Sequence, residues 1–424
     1  MQLENIKDFI TYICNTVGPR PCGSKEEREA ANLIKDYLSS SCDSVVLQNF
    51  FAKPRILQHL ITVLVVIYTL ALISFYIYPF VTILLLFVLL LIAYFTRCKS
   101  LPVLEFLFPS VPSQNVIGKI NATKKADTTL IFSAHHDSAY VMPFFGLNRP
   151  FSLFIYALII FLIFFLLILA ASKYFLFATQ LSWGTDVVNY LTVTAWEYDS
   201  LLPAPYKDII NYSSIGCIVT YPVCASLNNL LVTNTPTLGA NDNLSGVSVV
   251  LALAKYLSKE RPQNTDVHFI SFGAEEPGTT GSKVFVKEYI KNGKDKAKQT
   301  KVINLECLGD GILCVAQHEV VVSAKHCSRI INLVKKTAKE ENIKLRGVKV
   351  IGGSTDAAPF TWYKISACTI LRLDKWGVPV PYHTLKDIPD AIYEDELQEA
   401  FKLCVSIVKN VDKGKYCTPS DDNK

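Results

Sequence analysis

Two adjacent acids, Glu275 and Glu276, follow the apolar segment "HFISFGA", and their residue types and spacing could support chemistry. Neighbouring carboxylates repel each other, and their burial is costly unless a positive charge compensates for it. A solvated turn after a strand is one interpretation of such a pair. The other interpretation is a metal site, in which one carboxylate binds the ion and its neighbour transfers protons.

Further acids and histidines stand where other apolar segments end. They are His135 and Asp137 in "SAHHDS", Asp242 in "GANDNLSG", Glu306 in "INLE", and His383 and Asp387 in "PYHTLKD". Imidazole and carboxylate groups are common zinc ligands, and two ions about 3.5–4 Å apart are typical of many hydrolases. The set therefore favours a metal site over a solvated turn at Glu275 and Glu276.

In this order, the motifs HxD, GANDNxSG, GAEExGxxGS, NxE and YHTxxD resemble those of the di-zinc peptidases of family M28. The resemblance extends from "GPRPCGSKEEREAA" to "PYHTLKD" and implies an aminopeptidase-like enzyme with two Zn²⁺ per chain and a peptide substrate. It assigns His135 and Glu306 to one metal and Glu276 and His383 to the other. It also implies that Asp242 bridges the two ions.

The same resemblance implies roles for residues beside the ligands. Glu275 would be the general base, which takes a proton from the water activated by the two metals and passes it to the leaving amine. Asp137 would hold the tautomer of His135, and Asp387 would be a further acid behind the ligands. The two members of the Glu275–Glu276 pair would then serve different functions.

Other positions leave alternatives open. The family position that Glu306 fills is usually aspartate, so Asp310 in "GDG" is an alternative ligand. His136 fits a packing role better than a ligand role. Asp356 in "GSTDAAPF" fits the pocket wall or an acid behind the ligands.

Strands and helices must position these groups. "TLIFSAHHD", "DVHFISFGAEE" and "KVINLE" predict strands that end at the acids and histidines, and "DSVVLQNF" and "QNVIGKI" predict two more. "GVSVVLALAKYL" predicts a helix, as does "GSKEEREAANLIKDYL", where Ser24 and Glu27 have capping-box spacing. The alternation predicts an α/β fold with a mixed central sheet flanked by helices and functional groups at the carboxyl ends of strands. The resemblance implies that this is the zinc exopeptidase fold.

The composition indicates a globular domain combined with membrane segments. The chain has 424 residues, of which 50% are hydrophobic and 19% are charged, and its mean hydropathy is +0.28. The net charge of +5 is spread without a long basic block, so nucleic acid is not expected as a partner. The 12 cysteines form no CxxC pair, which favours reduced thiols over a disulfide framework.

Charge-free apolar runs predict transmembrane helices inserted into the α/β domain. Residues 56–96 contain no Asp, Glu, Lys or Arg and suit a hairpin of two spans of about 20 residues each, with Pro79 at the turn. Residues 151–172 form a second run, and 209–232 form a weaker one that contains three asparagines. We therefore expect a peptidase domain in three parts, 1–55, 97–150 and 233–424. The insertions would be a hairpin at 56–96 and, at 151–232, one or two spans with an exposed loop.

The flanking charges predict the orientation of a multi-pass protein that contacts membrane lipid. Basic residues flank the runs on the catalytic side: Lys53, Arg55, Arg97, Lys99 and Arg149. The loop 173–208 carries an excess of acids. Under the positive-inside rule this bias predicts a catalytic domain that faces the cytoplasm.

Two other functions remain compatible with the sequence. One is a single-zinc enzyme similar to glutaminyl cyclases, which share the fold, and the other is a non-enzymatic scaffold with a peptidase fold. The complete set of ligand positions favours the peptidase, and a metal content of two, one or no zinc ions per chain distinguishes the three. The sequence leaves open the oligomeric state, the substrate sequence, and the choice between aminopeptidase and carboxypeptidase.

Overall fold

The computed structural model describes residues 5–98, 105–126, 128–147, 149–180, 204–226, 231–291 and 299–414. The chain divides into two compact units. The sheet unit comprises Met1–Pro54, Phe108–Val141 and Asn234–Lys424, and the helical unit comprises Arg55–Leu107 and Met142–Thr233. All the acids and histidines singled out above belong to the sheet unit.

Within the described residues, the sheet unit contains one mixed sheet of nine strands. The strands are β1 (Ser44–Ala52), β2 (Val111–Ile120), β3 (Thr128–His135), β4 (Thr265–Phe272), β5 (Gln299–Glu306), β6 (Ile312–Glu319), β7 (Ala324–Lys325), β8 (Arg346–Val350) and β9 (Ser366–Leu373). The spatial order is β1-β2-β4-β3-β5-β9-β6-β7, with β8 paired to β6.

The four central strands, β4, β3, β5 and β9, run parallel to one another. Their register places His135 beside Phe272 and Glu306 beside Leu371, so the carboxyl ends of these strands meet at one edge of the sheet. The strands β2 and β6 pair with them in the antiparallel direction on either side. This arrangement brings the predicted site residues to the edge where parallel sheets carry their functional groups.

Helices alternate with the strands and with the apolar insertions. They are α1 (Lys7–Thr16), α2 (Lys25–Ser39), α3 (Ile56–Phe75), α4 (Pro79–Cys98), α5 (Pro143–Gly146), α6 (Arg149–Gln180), α7 (Ala204–Ala225), α8 (Gly246–Lys259), α9 (Thr280–Lys291), α10 (Ser328–Glu340), α11 (Ala357–Trp362) and α12 (Glu394–Asp412). Of these, α3 to α7 lie in the helical unit and the others in the sheet unit.

Helices cover both faces of the sheet. On one face α1, α2, α8, α10 and α12 pack in a core that includes Leu130 and Phe132 of β3. On the other face Ile131, the residue between them, packs with Phe285 of α9 and Phe360 of α11. Successive side chains of a strand point to opposite faces, so β3 is buried on both. The prediction of a mixed α/β sheet flanked by helices is confirmed.

The start of α2 agrees with the predicted cap but differs from the predicted capping box. Ser24 Oγ accepts a hydrogen bond from the backbone N–H of Glu27 (2.9 Å), as expected for an N-cap. The Glu27 carboxylate, however, accepts the N–H of Gly23 instead of that of Ser24, which donates to the carbonyl of Pro21. Glu27 is 1% exposed, so its carboxylate is free to serve other buried donors.

Among the residues that the structure describes, three helices of the helical unit are long and apolar enough to cross a membrane. The apolar spans are Ile56–Phe75, Pro79–Thr96 and Phe154–Leu176, with mean hydropathies of 2.3, 2.6 and 3.2. Pro79 is the first residue of α4, where its fixed φ suits a helix start. The weaker run at 209–232 overlaps α7, which is not among these three and has Pro222 within it. Residues 181–203, which hold most of the acid-rich loop, lie outside the described residues.

Candidate functional site

The predicted ligands converge at the carboxyl edge of the central strands. His135 is the last residue of β3 and Glu306 the last of β5. Glu276 follows β4, His383 lies in the segment after β9, and Asp242 precedes α8. His135 and Glu306 are therefore placed by the ends of strands, whereas His383 lies in an irregular segment beyond β9.

Their donor atoms form two groups that share Asp242. One group contains His135, Asp242 and Glu306, and the other contains Asp242, Glu276 and His383. Within each group the donor atoms lie within 4.8 Å of one another. These are the two sets that the resemblance to family M28 implies for separate metals.

Asp242 directs one carboxylate oxygen to each group. Its Oδ1 lies 3.2 Å from His135 Nε2, and its Oδ2 lies 3.0 Å from His383 Nε2. Glu276 Oε2 lies 3.3 Å from the same nitrogen of His383. A carboxylate with this orientation can bind two ions at once, one through each oxygen.

Glu306 reaches the first group from the end of β5. Its Oε1 lies 2.9 Å from His135 Nε2. Its Oε2 accepts a hydrogen bond from Asn304 Nδ2 (3.0 Å), and the Asn304 amide oxygen accepts one from Ser133 Oγ (2.9 Å). Within the described ranges, the alternative ligand Asp310 belongs to neither group. The geometry therefore favours Glu306 over Asp310.

Glu306→Asp tests how well this glutamate is placed. The shorter side chain should lose the hydrogen bond from Asn304 unless the backbone of β5 shifts, while it retains a carboxylate beside His135. We expect the variant to keep two zinc ions and most of its activity, and we expect Glu306→Ala to lose one zinc. Metal analysis of both purified variants provides the measurement. If Glu306→Ala retained two zinc ions and hydrolysed peptides at the full rate, Glu306 would be excluded as a ligand.

Glu275 belongs to neither of the two groups that share Asp242, but it forms a third group of possible donors with His135 and Glu276. Its Oε2 is 3.9 Å from His135 Nε2, and its side chain is 11% exposed. The backbone N–H of Glu275 donates to Asp137 Oδ1 (3.0 Å), and that of Glu276 donates to Asp137 Oδ2 (3.1 Å). One carboxylate thus fixes the backbone of both neighbouring glutamates, whose side chains then take different directions.

Asp137 contacts the His135 side chain as well as backbone groups, and Asp387 accepts hydrogen bonds from backbone groups. The backbone carbonyl of Asp137 lies 3.2 Å from His135 Nδ1, and its Oδ1 lies 3.4 Å from the same nitrogen. A donor at Nδ1 leaves Nε2 of His135 with its lone pair toward the ligand group. Asp387 accepts the backbone N–H groups of Asn241 (2.5 Å) and Asp242 (3.2 Å), and so holds the backbone of Asp242.

Two further residues of the sequence analysis lie outside the ligand groups. His136 Nδ1 is 2.9 Å from Ser271 Oγ, and burial lowers the pKa of this histidine to about 4. His136 is therefore a neutral packing residue here. Asp356 is fully buried at the start of α11, and burial raises its pKa to about 8.

The electrostatics follow from many carboxylates sharing one buried site. Burial raises the pKa of Glu275 well above its usual range, and the neighbouring acids Asp356, Glu276 and Glu306 raise it further while His135 opposes the rise. Burial raises the pKa of Glu276 to about 7.

The pKa values of His383 and Asp242 shift toward the charged form of each group. Burial alone would lower the pKa of His383, but the carboxylates of Glu276 and Asp242 outweigh it and raise the value to about 10. Burial likewise opposes the shift of Asp242, yet hydrogen bonds from His135 and His383 lower its pKa below the usual range. With no cation bound, His383 therefore holds a proton at neutral pH.

The donor set fits two zinc ions. Two imidazoles and three carboxylates are typical zinc ligands, and they are arranged as two groups of three that share one carboxylate. Glu276 Oε1 is buried and has no hydrogen-bond partner, which is unfavourable unless a cation completes the site. His135 and His383 would each bind through Nε2, with Glu306 and Glu276 as the carboxylates of the separate ions.

Several residues behind the site were not found from the sequence. The fully buried Arg20 donates to the carbonyls of His136 (2.8 Å), Leu238 (2.9 Å) and Gly239 (3.2 Å), and thereby joins the segment after β3 to the segment that leads to Asp242. The only local signal is its place in "GPRPCGSKEE", next to the start of α2. Glu27 and Asn115 make comparable contacts with the segment after β4.

The comparison with known sequences points to one family. The model of peptidase family M28 matches residues 221–408, which is less than half of the chain. The match includes Asp242, Glu275, Glu276, Glu306 and His383 but not His135. Aminopeptidase YwaD of Bacillus subtilis (strain 168) is 32% identical over 177 residues, which are 40% of this chain and 37% of the relative. The match thus spans little more than a third of that protein, and over it the chain is similar to M28 aminopeptidases.

Solved structures share the fold over nearly the whole chain. BSAP, a zinc aminopeptidase from Bacillus subtilis, superposes with a TM-score of 0.54 at 16% identity, covering 96% of this chain and 94% of that chain. A Bacteroides thetaiotaomicron glutaminyl cyclase bound to N-acetylhistamine gives a TM-score of 0.50 at 14% identity, with 96% and 97% coverage. At these identities the likeness establishes the fold alone.

Proposed function

We propose that this chain is a membrane-anchored, zinc-dependent exopeptidase that removes N-terminal residues from peptides. The observation that carries the proposal is the pair of ligand groups that share Asp242, with the Glu275 carboxylate beside them. The similarity to M28 aminopeptidases supports the same reaction class. The proposed ligands are His135, Asp242 and Glu306 for one zinc and Asp242, Glu276 and His383 for the other.

In the proposed mechanism the metals would supply Lewis-acid chemistry and the Glu275 side chain transfers the proton. Two bound zinc ions would supply Lewis-acid chemistry, which polarises the scissile carbonyl and makes water more acidic. Glu275 takes a proton from the attacking water as the C–O bond forms. It then delivers this proton to the nitrogen of the breaking C–N bond, so that the leaving group departs as a neutral amine.

Other residues keep the side chains of this reaction in place. Asp137 fixes the Nδ1 side of His135 and the backbone of both glutamates. Asp387 fixes the backbone of Asp242. The reacting groups come from different elements of the sheet unit. The hydrogen bonds of these buried acids hold the backbone that carries the reacting groups, which favours catalysis by orientation.

An assay of purified full-length protein tests the proposal. We expect about two zinc ions per chain and hydrolysis of aminoacyl-anilides and of peptides with a free N-terminus. An N-acetylated peptide of the same sequence is the matched control, because an aminopeptidase should not cleave it. Release of C-terminal residues from the acetylated peptide would indicate a carboxypeptidase instead.

The same assay separates the alternatives. A glutaminyl cyclase-like enzyme, whose fold this chain shares, would hold one zinc and release ammonia from peptides with N-terminal glutamine. A scaffold would hold no zinc and show neither activity. The peptidase is favoured because both ligand groups have three donors within 4.8 Å of one another.

We further propose that the helical unit anchors the sheet unit in a membrane as a multi-pass protein in contact with lipid. Three helices of sufficient length and hydropathy support this organisation. The hairpin 56–96 and the insertion 151–232 would then interrupt a peptidase domain formed by 1–55, 97–150 and 233–424. The basic residues that flank the hairpin favour a catalytic domain that faces the cytoplasm.

Labelling of introduced cysteines with a membrane-impermeant thiol reagent tests the orientation. In intact cells Glu197→Cys, in the acid-rich loop, should label, whereas Glu29→Cys, at an exposed position of α2, should label only after permeabilisation. The native Cys404 cannot serve as a reporter because it is fully buried. Labelling of Glu29→Cys in intact cells would place the sheet unit outside and leave the proposed metal chemistry unaffected.

A further inference from the structure

Four consecutive backbone N–H groups, those of residues 273–276, each donate to a side-chain oxygen. Asn115 Oδ1 accepts from the first (3.1 Å), and Glu27 Oε1 accepts from the second (3.1 Å). The two oxygens of Asp137 accept from the third and fourth (3.0 and 3.1 Å). We call these three side chains the backbone cradle of the glutamate pair.

The cradle supplies hydrogen-bond acceptors to buried backbone N–H groups that have left the sheet. The segment leaves β4 at Phe272 and turns sharply, with a φ of 53° at Ala274, so its N–H groups no longer face a neighbouring strand. Gly273 and Ala274 are buried, and buried N–H groups without a partner are unfavourable. Side chains from α2, from β2 and from the segment after β3 accept these hydrogen bonds, as the carbonyl groups of a neighbouring strand would.

Asn115 ties the two ends of this loop together. Its amide nitrogen donates to the carbonyl of Gly281 (2.9 Å) and to Gln48 Oε1 (2.8 Å), while its oxygen accepts the N–H of Gly273. The ends approach so closely that a Cβ atom at Gly281 would lie 2.3 Å from the Gly273 carbonyl oxygen and 2.4 Å from Asn115 Oδ1. The loop that carries both glutamates is therefore closed by one buried side chain.

Glu27 fixes the next residue from the opposite side. Its Oε1 also accepts the hydroxyl of Ser113 (2.7 Å), and its Oε2 accepts the N–H of Gly23 (2.5 Å). The carboxylate is thus held by β2 and by the start of α2 before it contacts the N–H of Ala274. Ala274 directly precedes Glu275, so a shift of its backbone is transmitted to the proposed base.

We propose that Glu27 and Asn115 are positioning residues for Glu275, and that they set the direction of its carboxylate through the backbone of residues 273–276. This proposal rests on the proposed function of Glu275 as general base. Neither side chain belongs to the metal ligand groups among the described residues. Their substitution should therefore affect the rate of turnover more than the metal content.

The variants form a graded series. Glu27→Ala removes all three accepted hydrogen bonds, and Glu27→Gln keeps an oxygen for Ala274 but turns an N–H group toward the N–H of Gly23. Asn115→Ala releases both ends of the loop. The matched control is Glu394→Ala, because this carboxylate also accepts two backbone N–H groups, those of Ile6 and Lys7, at a helix start outside the loop.

Full-length, zinc-loaded protein is used for kinetics, metal analysis and amide hydrogen exchange. For Glu27→Ala and Asn115→Ala we expect kcat to fall by about 10- to 100-fold, because a base displaced by about 1 Å reacts much more slowly. We expect a smaller fall for Glu27→Gln, little change in KM, two zinc ions in each variant, and faster exchange of the amides of residues 273–276. The control should match the unmodified protein in all four measurements.

The results separate this inference from the proposed function. Unchanged exchange of the amides of Gly273 and Ala274 in both Glu27→Ala and Asn115→Ala would overturn the cradle, whatever the activity. Faster exchange with a normal kcat would overturn the positioning role. If the unmodified protein cleaves no peptide, the proposed function fails, and with it the positioning role, while exchange still decides whether the cradle holds the backbone. If Glu27→Ala does not fold, Glu27→Gln and Asn115→Ala decide the same question.

Discussion

Glu275→Gln is expected to lower kcat by about 10²–10⁴-fold, which is the usual contribution of a general base. Glutamine has the same size and can occupy the same place beside His135, 3.9 Å from its Nε2. It cannot accept a proton at neutral pH. The loss should therefore appear in kcat, with KM and zinc content close to those of the unmodified protein.

The neighbouring glutamate is the matched control. Glu276→Gln makes the same chemical change one residue further along, on a side chain whose Oε2 lies 3.3 Å from His383 Nε2 within a ligand group. We expect this variant to lose zinc from one site, and activity with it. The pair of variants thus separates proton transfer from metal binding. Near-normal turnover by Glu275→Gln with two zinc ions bound would refute the proposed base.

The convergence of the candidate ligands could be predicted because its signals are local. His135, Asp242, Glu276 and Glu306 stand near the end of an apolar strand or the start of an apolar helix, and parallel strands bring such ends together whatever the sequence distance between them. The choice between Glu306 and Asp310 needed the structure, because it depends on where β5 ends and on the hydrogen bond from Asn304.

The supporting contacts could not be predicted because their partners are distant in sequence. Glu27 lies 247 residues from Ala274, and Asn115 lies 158 from Gly273. Read locally, Glu27 looks like the second member of a capping box with Ser24, and tertiary contacts override that role. Asp137 was expected to hold His135 alone, yet its carboxylate also holds the backbone of both glutamates. Sequence motifs identify the reacting groups more readily than the residues that fix the backbone beneath them.

Removal of zinc by a chelator is expected to abolish peptide hydrolysis and to lower the melting temperature. Without cations the buried site holds four acids and two histidines that only partly neutralise one another, and Glu276 Oε1 has no hydrogen-bond partner. A ligand present at 1,000 times its Kd stabilises a protein by about 4 kcal/mol, and its removal withdraws this stabilisation. Scanning calorimetry before and after chelation, and again after zinc is restored, provides the measurement. Glu276→Gln is the control, because a protein that has already lost one site should show a smaller shift.

The pH dependence of zinc binding provides a second readout that does not depend on activity. In the zinc-free site the carboxylates raise the pKa of His383 to about 10, and burial raises that of Glu276 to about 7. At pH 7 His383 is therefore protonated and Glu276 is partly so, whereas both must be deprotonated to bind a cation. Zinc binding should release protons, and zinc affinity should rise as the pH increases from 6 to 8. Calorimetric titration with zinc in buffers of different ionisation enthalpy measures this release. A zinc affinity independent of pH, or a melting temperature unchanged by the chelator, would contradict the assignment of these residues as ligands.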